Sequence, residues 1–152
     1  MSPMYPAPTY PGVTGVPPAS PAAPDALSLL RGGLAAKNAN WADLLRSGLR
    51  QLRDDLREHI AAMEGPDGLY DEVRRSDPRL ACAVTRLRRE HGLLSAMVDD
   101  LSARVDHEPN DPADLNAVRP RIRTLLKQWA GHRRRDNQRA YDAMSLDIGG
   151  QD

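Results

Sequence analysis

Residues 41–68 read WADLLRSGLRQLRDDLREHIAAMEGPDG. Trp41, Leu45, Leu49, Leu52, Leu56, Ile60 and Met63 recur in steps of three and four, the spacing of one face of an α-helix. Arg, Asp, Glu and Gln fill most of the positions between them. Gly65-Pro66-Asp67-Gly68 ends the pattern, because Pro cannot continue a helix and Gly favours its terminus. The segment 41–64 is therefore a long amphipathic helix whose apolar stripe needs partners.

The flanking sequence supplies them. Upstream, Asp25 is suited to cap a helix carrying Leu27, Leu30 and Leu34. Gly32-Gly33 and Asn38-Ala39-Asn40 weaken the pattern, which predicts a short helix over 25–37 and then a kink or tight turn. Downstream, a short turn is expected around Leu69–Val73, and Pro78 after Asp77 suits the first turn of the next helix. The stripe of that helix is Leu80, Val84, Leu87, His91, Leu94, Val98, Leu101 and Val105. A loop with Pro109, Asn110 and Pro112 follows. The last helix starts near Asp114 or Val118, with the stripe Val118, Ile122, Leu125, Trp129, His132, Asp136, Ala140 and Ala143.

The fold class is thus all-α: an up-down antiparallel bundle of three long helices plus a short N-terminal one, spanning 25–148. The chain holds no Phe, so Leu, Val, Ile, Met and Ala build the core, with Trp41 and Trp129 as its largest pieces. Eight of the thirteen prolines fall in residues 1–24. That composition is expected to leave a disordered tail, with Tyr5 and Tyr10 among the prolines offering a route to a protein partner.

Charge excludes some functions. Twenty-one basic and twenty-one acidic residues give no net charge, which argues against a nucleic-acid binder. No apolar run is long enough to span a bilayer, and no leader pattern opens the chain. A membrane role is not expected, and a cytoplasmic location is. Cys82 is the only cysteine, placed beside a stripe as a small buried or semi-buried side chain, and allows no intramolecular disulfide. His107 falls in the Pro/Asp-rich loop as a surface residue.

The informative residues are polar ones inside apolar stripes. His59, His91, His132 and Asp136 are all in phase with the inward faces of their helices. A buried carboxylate is costly unless paired, hydrogen-bonded or bound to a metal. His91 and His132 each lie about 14 residues, roughly 21 Å, from the same end of the bundle, so antiparallel neighbours bring them level. His59 lies shallower if its helix stops at 64, and matches only if the segment through Val73 continues upward. With Glu64 or Glu90 nearby, the set is a plausible site for iron, zinc or manganese. Hydrogen-bonded core histidines remain the other reading. Arg133-Arg134-Arg135 beside His132 would disfavour a bound cation. No nucleophile triad, Gly-rich phosphate loop or Glu-x-x-His pair is present, so a binding or sensing protein is expected rather than an enzyme.

Three stretches carry a family resemblance. These are His59-Ile-Ala-Ala-Met-Glu64 with the following Gly-Pro-Asp-Gly-Leu-Tyr, Leu87-Arg-Arg-Glu90-His91-Gly-Leu-Leu, and Trp129-Ala-Gly-His132-Arg-Arg-Arg-Asp136. With the ending Arg139-Ala-Tyr141-Asp-Ala-Met-Ser-Leu-Asp147-Ile-Gly-Gly, the chain over about 40–150 resembles bacterial hemerythrin-like (HHE) proteins. The resemblance implies a four-helix bundle holding non-haem iron, whose members bind dioxygen or sense oxygen, iron, redox state or nitric oxide. It implies His59, His91 and His132 as ligand histidines and Glu64 and Asp136 as the carboxylates. The first-helix His is missing from 25–40, where Asn38 and Asn40 are the polar candidates. The ligand set is therefore incomplete for two irons. One metal, or a metal-free bundle acting as an interaction module, fits it.

Overall fold

The computed structural model describes residues 24–37, 40–107 and 112–149. The proline-rich tail, apart from Pro24, and the loop at 108–111 lie outside the described residues. Five α-helices follow in order among the described residues: α1 (Ala26–Ala35), α2 (Trp41–Glu64), α3 (Leu69–Ser76), α4 (Ala81–His107) and α5 (Pro112–Gly149). A 3₁₀ turn over Pro78–Leu80 leads into α4. No strand occurs among the described residues. The architecture is all-α, with α2, α4 and α5 as the long members and α1 closing the fourth corner at one end.

The local signals work as their chemistry requires. Asp25 accepts a hydrogen bond from the backbone N–H of Ser28 at 2.7 Å, satisfying a donor that the start of α1 leaves free. Asp77 does the same for Arg79 at 3.0 Å. At the end of α2, Asp67 takes a left-handed φ of 58°, a conformation that Asp tolerates in turns.

Leu30, Leu45, Leu49, Leu52, Leu56, Leu94, Val98, Leu101, Ile122 and Leu125 form the main core. Burying each such side chain is worth about 1.5–3 kcal/mol, which is what holds the stripes together. Helix α1 lies close on α2. A Cβ on Gly33 would stand 2.5 Å from Leu45 Cδ2, and one on Gly48 would stand 2.8 Å from Leu30 Cγ and 3.1 Å from its backbone N. The two glycines thus let the backbones approach. That register sets the start of α1 opposite Leu52, so His59 lies about 10 Å beyond it at about 1.5 Å per residue.

Three expectations are corrected. The segment after Gly68 is a two-turn helix rather than a turn. Tyr70 and Val73, three residues apart on its inner face, pack with Val84, Leu87 and Ala143 in a second small core. The helix ends are also not flush. Glu64, the last residue of α2, meets Arg88 and His91, so the first turns of α4 run about 10 Å past it. The α3 helix packs against α2, α4 and α5 in that space. Cys82, expected to be buried or half-buried, is exposed on the first turn of α4.

The two glycine environments make opposite predictions. Gly48→Ala should destabilise the protein by about 1–3 kcal/mol, because α1 must move off α2. Gly92 is exposed in mid-helix, and a Cβ added there would meet nothing within 4 Å. Gly92→Ala should stabilise by up to about 1 kcal/mol. Urea unfolding of both variants checks this, and a shift of the same sign in both would contradict the close packing of α1.

Candidate metal centre

Three helices deliver four side chains to one point. His59 comes from the inner face of α2, His91 from α4, and His132 and Asp136 from α5. The last two are four residues apart, about 40° around the helix, so they share a face. One ligand atom from each of the four lies within 4.8 Å of all the others. His59 Nε2 stands 3.2 Å from His132 Nε2 and 2.7 Å from Asp136 Oδ2. His132 Nε2 stands 3.0 Å from the same oxygen. Neighbouring ligands on an ion bound at about 2.0–2.1 Å are roughly 2.9–3.4 Å apart, so the 3.0 and 3.2 Å spacings suit a small cation and the 2.7 Å contact is slightly tighter. His91, His132 and Asp136 are buried and His59 is half-buried. Trp129 walls the cluster, its ring 5.3 Å from that of His59 and 6.1 Å from that of His132.

The level of His59, open to two readings from helix ends alone, is resolved by the offset of the helices. Its ring centroid is 5.3 Å from those of both His91 and His132, although α2 stops at Glu64. Glu64 itself stands one layer further out, at 3.2 Å from His91 Nδ1. Five residues after His59, it points about 140° away around the helix axis. Glu90 plays the matching part at 2.7 Å from His132 Nδ1. Carboxylates on the far nitrogens orient imidazoles and turn Nε2 inward, the usual outer layer of a histidine metal site.

The arginine run does not oppose a cation in the way the sequence suggests. Arg133, Arg134 and Arg135 are all exposed. Arg133 sits over the outer face of Trp129 at 5.4 Å, and Arg135 pairs with Glu90 at 3.0 Å. Because His132 and Asp136 take the inward positions, the three residues between them face outward.

Tyr70 is a site residue that the sequence does not announce. Its phenol donates to Asp136 Oδ1 at 2.6 Å and stands 3.2 Å from His91 Nε2. Only the three-residue spacing of Tyr70 and Val73 in an otherwise charged segment signals that this ring turns inward.

The charges follow from these contacts. Burial disfavours ionised Asp136, but hydrogen bonds from His132, His59 and Tyr70 outweigh it and hold the carboxyl well below its usual range. Burial likewise opposes charge on His132, and its bonds to Asp136 and Glu90 override it, so this ring is held above the ordinary value. His91 goes the other way: burial dominates and keeps it below, with Glu64 offsetting only part. Burial and then the bond to Asp136 push the Tyr70 phenol far up.

The proton count of this network turns on His91. A neutral His91 that donates through Nδ1 to Glu64 presents a bare lone pair at Nε2. The single proton of Tyr70 is engaged with Asp136. In that tautomer two lone pairs face each other across 3.2 Å. A cation between His91, Asp136 and the other imidazoles removes that conflict, so the residues present fit a metal ion.

Comparison with known proteins agrees with this geometry. The family model described as hemerythrin HHE cation binding domain matches residues 25–144. No curated protein and no solved structure matches the chain.

Acid should act on the metal-free protein through Asp136. Its folded pKa is lowered from 3.8, so its contribution to stability is present above that value and is lost as pH falls through the folded one. Urea midpoints taken from about pH 5 to about pH 3 should fall more steeply for the parent chain than for Asp136→Asn. Parallel slopes would show that Asp136 is not held ionised by its neighbours.

Proposed function

The chain belongs to the hemerythrin HHE cation-binding family, and from that premise we propose that it binds one iron ion at His59, His91, His132 and Asp136 as a cytoplasmic oxygen- or redox-sensing protein rather than an enzyme. The observation that carries the reading is the convergence of three imidazole nitrogens and one carboxylate oxygen within 4.8 Å, with Glu64 and Glu90 behind two of the rings. Imidazole and carboxylate together suit iron, with zinc and manganese as competitors. Four inner donors support a single ion better than a pair, since both remaining carboxylates are engaged with ring nitrogens.

Within that reading each residue has a task. His59, His91 and His132 would hold the ion through Nε2 and Asp136 through its carboxylate, which also lowers the net charge of the centre. Glu64 and Glu90 fix the imidazole orientations, and Arg135 holds Glu90 in place at 3.0 Å. Trp129 and the surrounding leucines keep water from the inner face. When bound, iron supplies a redox-active, ligand-binding centre inside an otherwise inert bundle. Access runs beside α4 and α5, where a cleft of about 380 Å³ is lined by Glu90, Leu94, Gln128, His132 and Arg135, among others.

A second reading is a metal-free interaction bundle. It draws on exposed Leu93, Tyr141 and Met144 on α4 and α5, large apolar side chains that a partner could cover. No helix among the described residues is long and apolar enough to cross a membrane.

Elemental analysis after anaerobic ferrous loading separates the two. About one iron per chain is expected, and His91→Ala and His132→Ala should each abolish stoichiometric binding while the bundle stays helical. Glu90→Gln, which alters only the outer layer, should weaken binding by about 10–100-fold. A chain that takes up no metal, or variants that keep it, would favour the interaction module.

A further inference from the structure

The metal reading leaves one inner group without a task. Tyr70 is 1 % exposed, and its hydroxyl touches two ligand residues at once: Asp136 Oδ1 at 2.6 Å and His91 Nε2 at 3.2 Å. His91 has only one nitrogen free for a metal, since Nδ1 faces Glu64. An ion bound by that free nitrogen and by Asp136 is therefore placed against the phenol oxygen. The Tyr70 and His91 rings are stacked 5.5 Å apart at 15°, which fixes the phenol in this position.

The fold explains why a side chain from α3 is available. Helix α1 ends about 10 Å short of the site level, so it contributes no side chain to the cluster. The offset between α2 and α4 opens room for α3, whose inner face carries Tyr70 to the gap. Resting on the metal reading above, we propose that Tyr70 is a fifth donor, its phenolate oxygen joining His59, His91, His132 and Asp136 around a ferric ion.

With the His91 proton on Nδ1 toward Glu64, a tyrosine that only steadied Asp136 would leave its spare lone pair pressed against that of His91. Coordination removes this repulsion. In the step, the phenol O–H bond breaks, an oxygen–metal bond forms and one proton passes to solvent, with no electron transferred. An anionic oxygen beside a carboxylate adds hard donors to three imidazoles, which shifts the preference of the site toward a more highly charged ion.

The test uses the full chain loaded with iron and oxidised to the ferric state, with iron content measured by mass spectrometry beside visible absorption and resonance Raman spectra. The parent chain is expected to show a phenolate-to-ferric charge-transfer band whose excitation enhances tyrosine ring vibrations. Tyr70→Phe should lose the band and keep iron on the remaining donors. Tyr141→Phe, altering an exposed tyrosine, should leave it unchanged. Stoichiometric iron in the parent chain without the band overturns the proposal whether or not Tyr70→Phe folds, as does a band that survives Tyr70→Phe. Absence of iron from the parent chain overturns the metal reading itself, and this proposal with it.

Discussion

The centre of this molecule is organised by the cost of burying the Asp136 carboxylate. An ion of that size removed from water is tolerated only when its lone pairs are matched by hydrogen bonds or opposite charge. Asp136 has three such partners, His59, His132 and Tyr70, each from a different helix. Helices α2, α3 and α5 are thereby fixed at one height relative to each other. His91 on α4 joins through Tyr70, and Glu64 and Glu90 tie the outer nitrogens back to α2 and α4. A polar network of this kind specifies one register, where the leucine core alone would tolerate slippage by a turn.

With the His91 proton on Nδ1, the network is nonetheless incomplete as a set of proton donors and acceptors. In that form two lone pairs meet between Tyr70 and His91. A structural cluster of hydrogen-bonded core residues would be expected to close its proton count, because an unsatisfied buried polar atom costs about 1–3 kcal/mol. The convergence of three imidazoles and a carboxylate is what links the geometry to the cation-binding family matched over residues 25–144.

Much of this is readable from periodicity. The stripe through Leu45, Leu49, Leu52 and Leu56 predicts helix 41–64, and α2 has those bounds. His59, His91, His132 and Asp136 are in phase with their stripes, and all four turn inward because helical phase depends only on counting residues. Glu64 is close to His59 in sequence, but five residues place it on another side of α2. The outward aim of Arg133, Arg134 and Arg135 follows from the same counting. Tyr70 is not readable in this way because α3 is too short for a convincing period, and a single aromatic residue in two turns does not announce which face is buried.

By itself the sequence determined the helices, their inward faces and the chemistry of the inner residues, since each of these depends on interactions within a few turns of one chain segment. Tertiary structure alone decided how far each helix slides along its neighbour. That offset sets His59 level with His91 and His132, stops α1 short of the site and opens the space that α3 and Tyr70 occupy. The physical reason is that axial position is fixed by contacts between residues distant in sequence, such as Gly48 against Leu30 and Glu64 against His91, and no local pattern encodes which of them will meet.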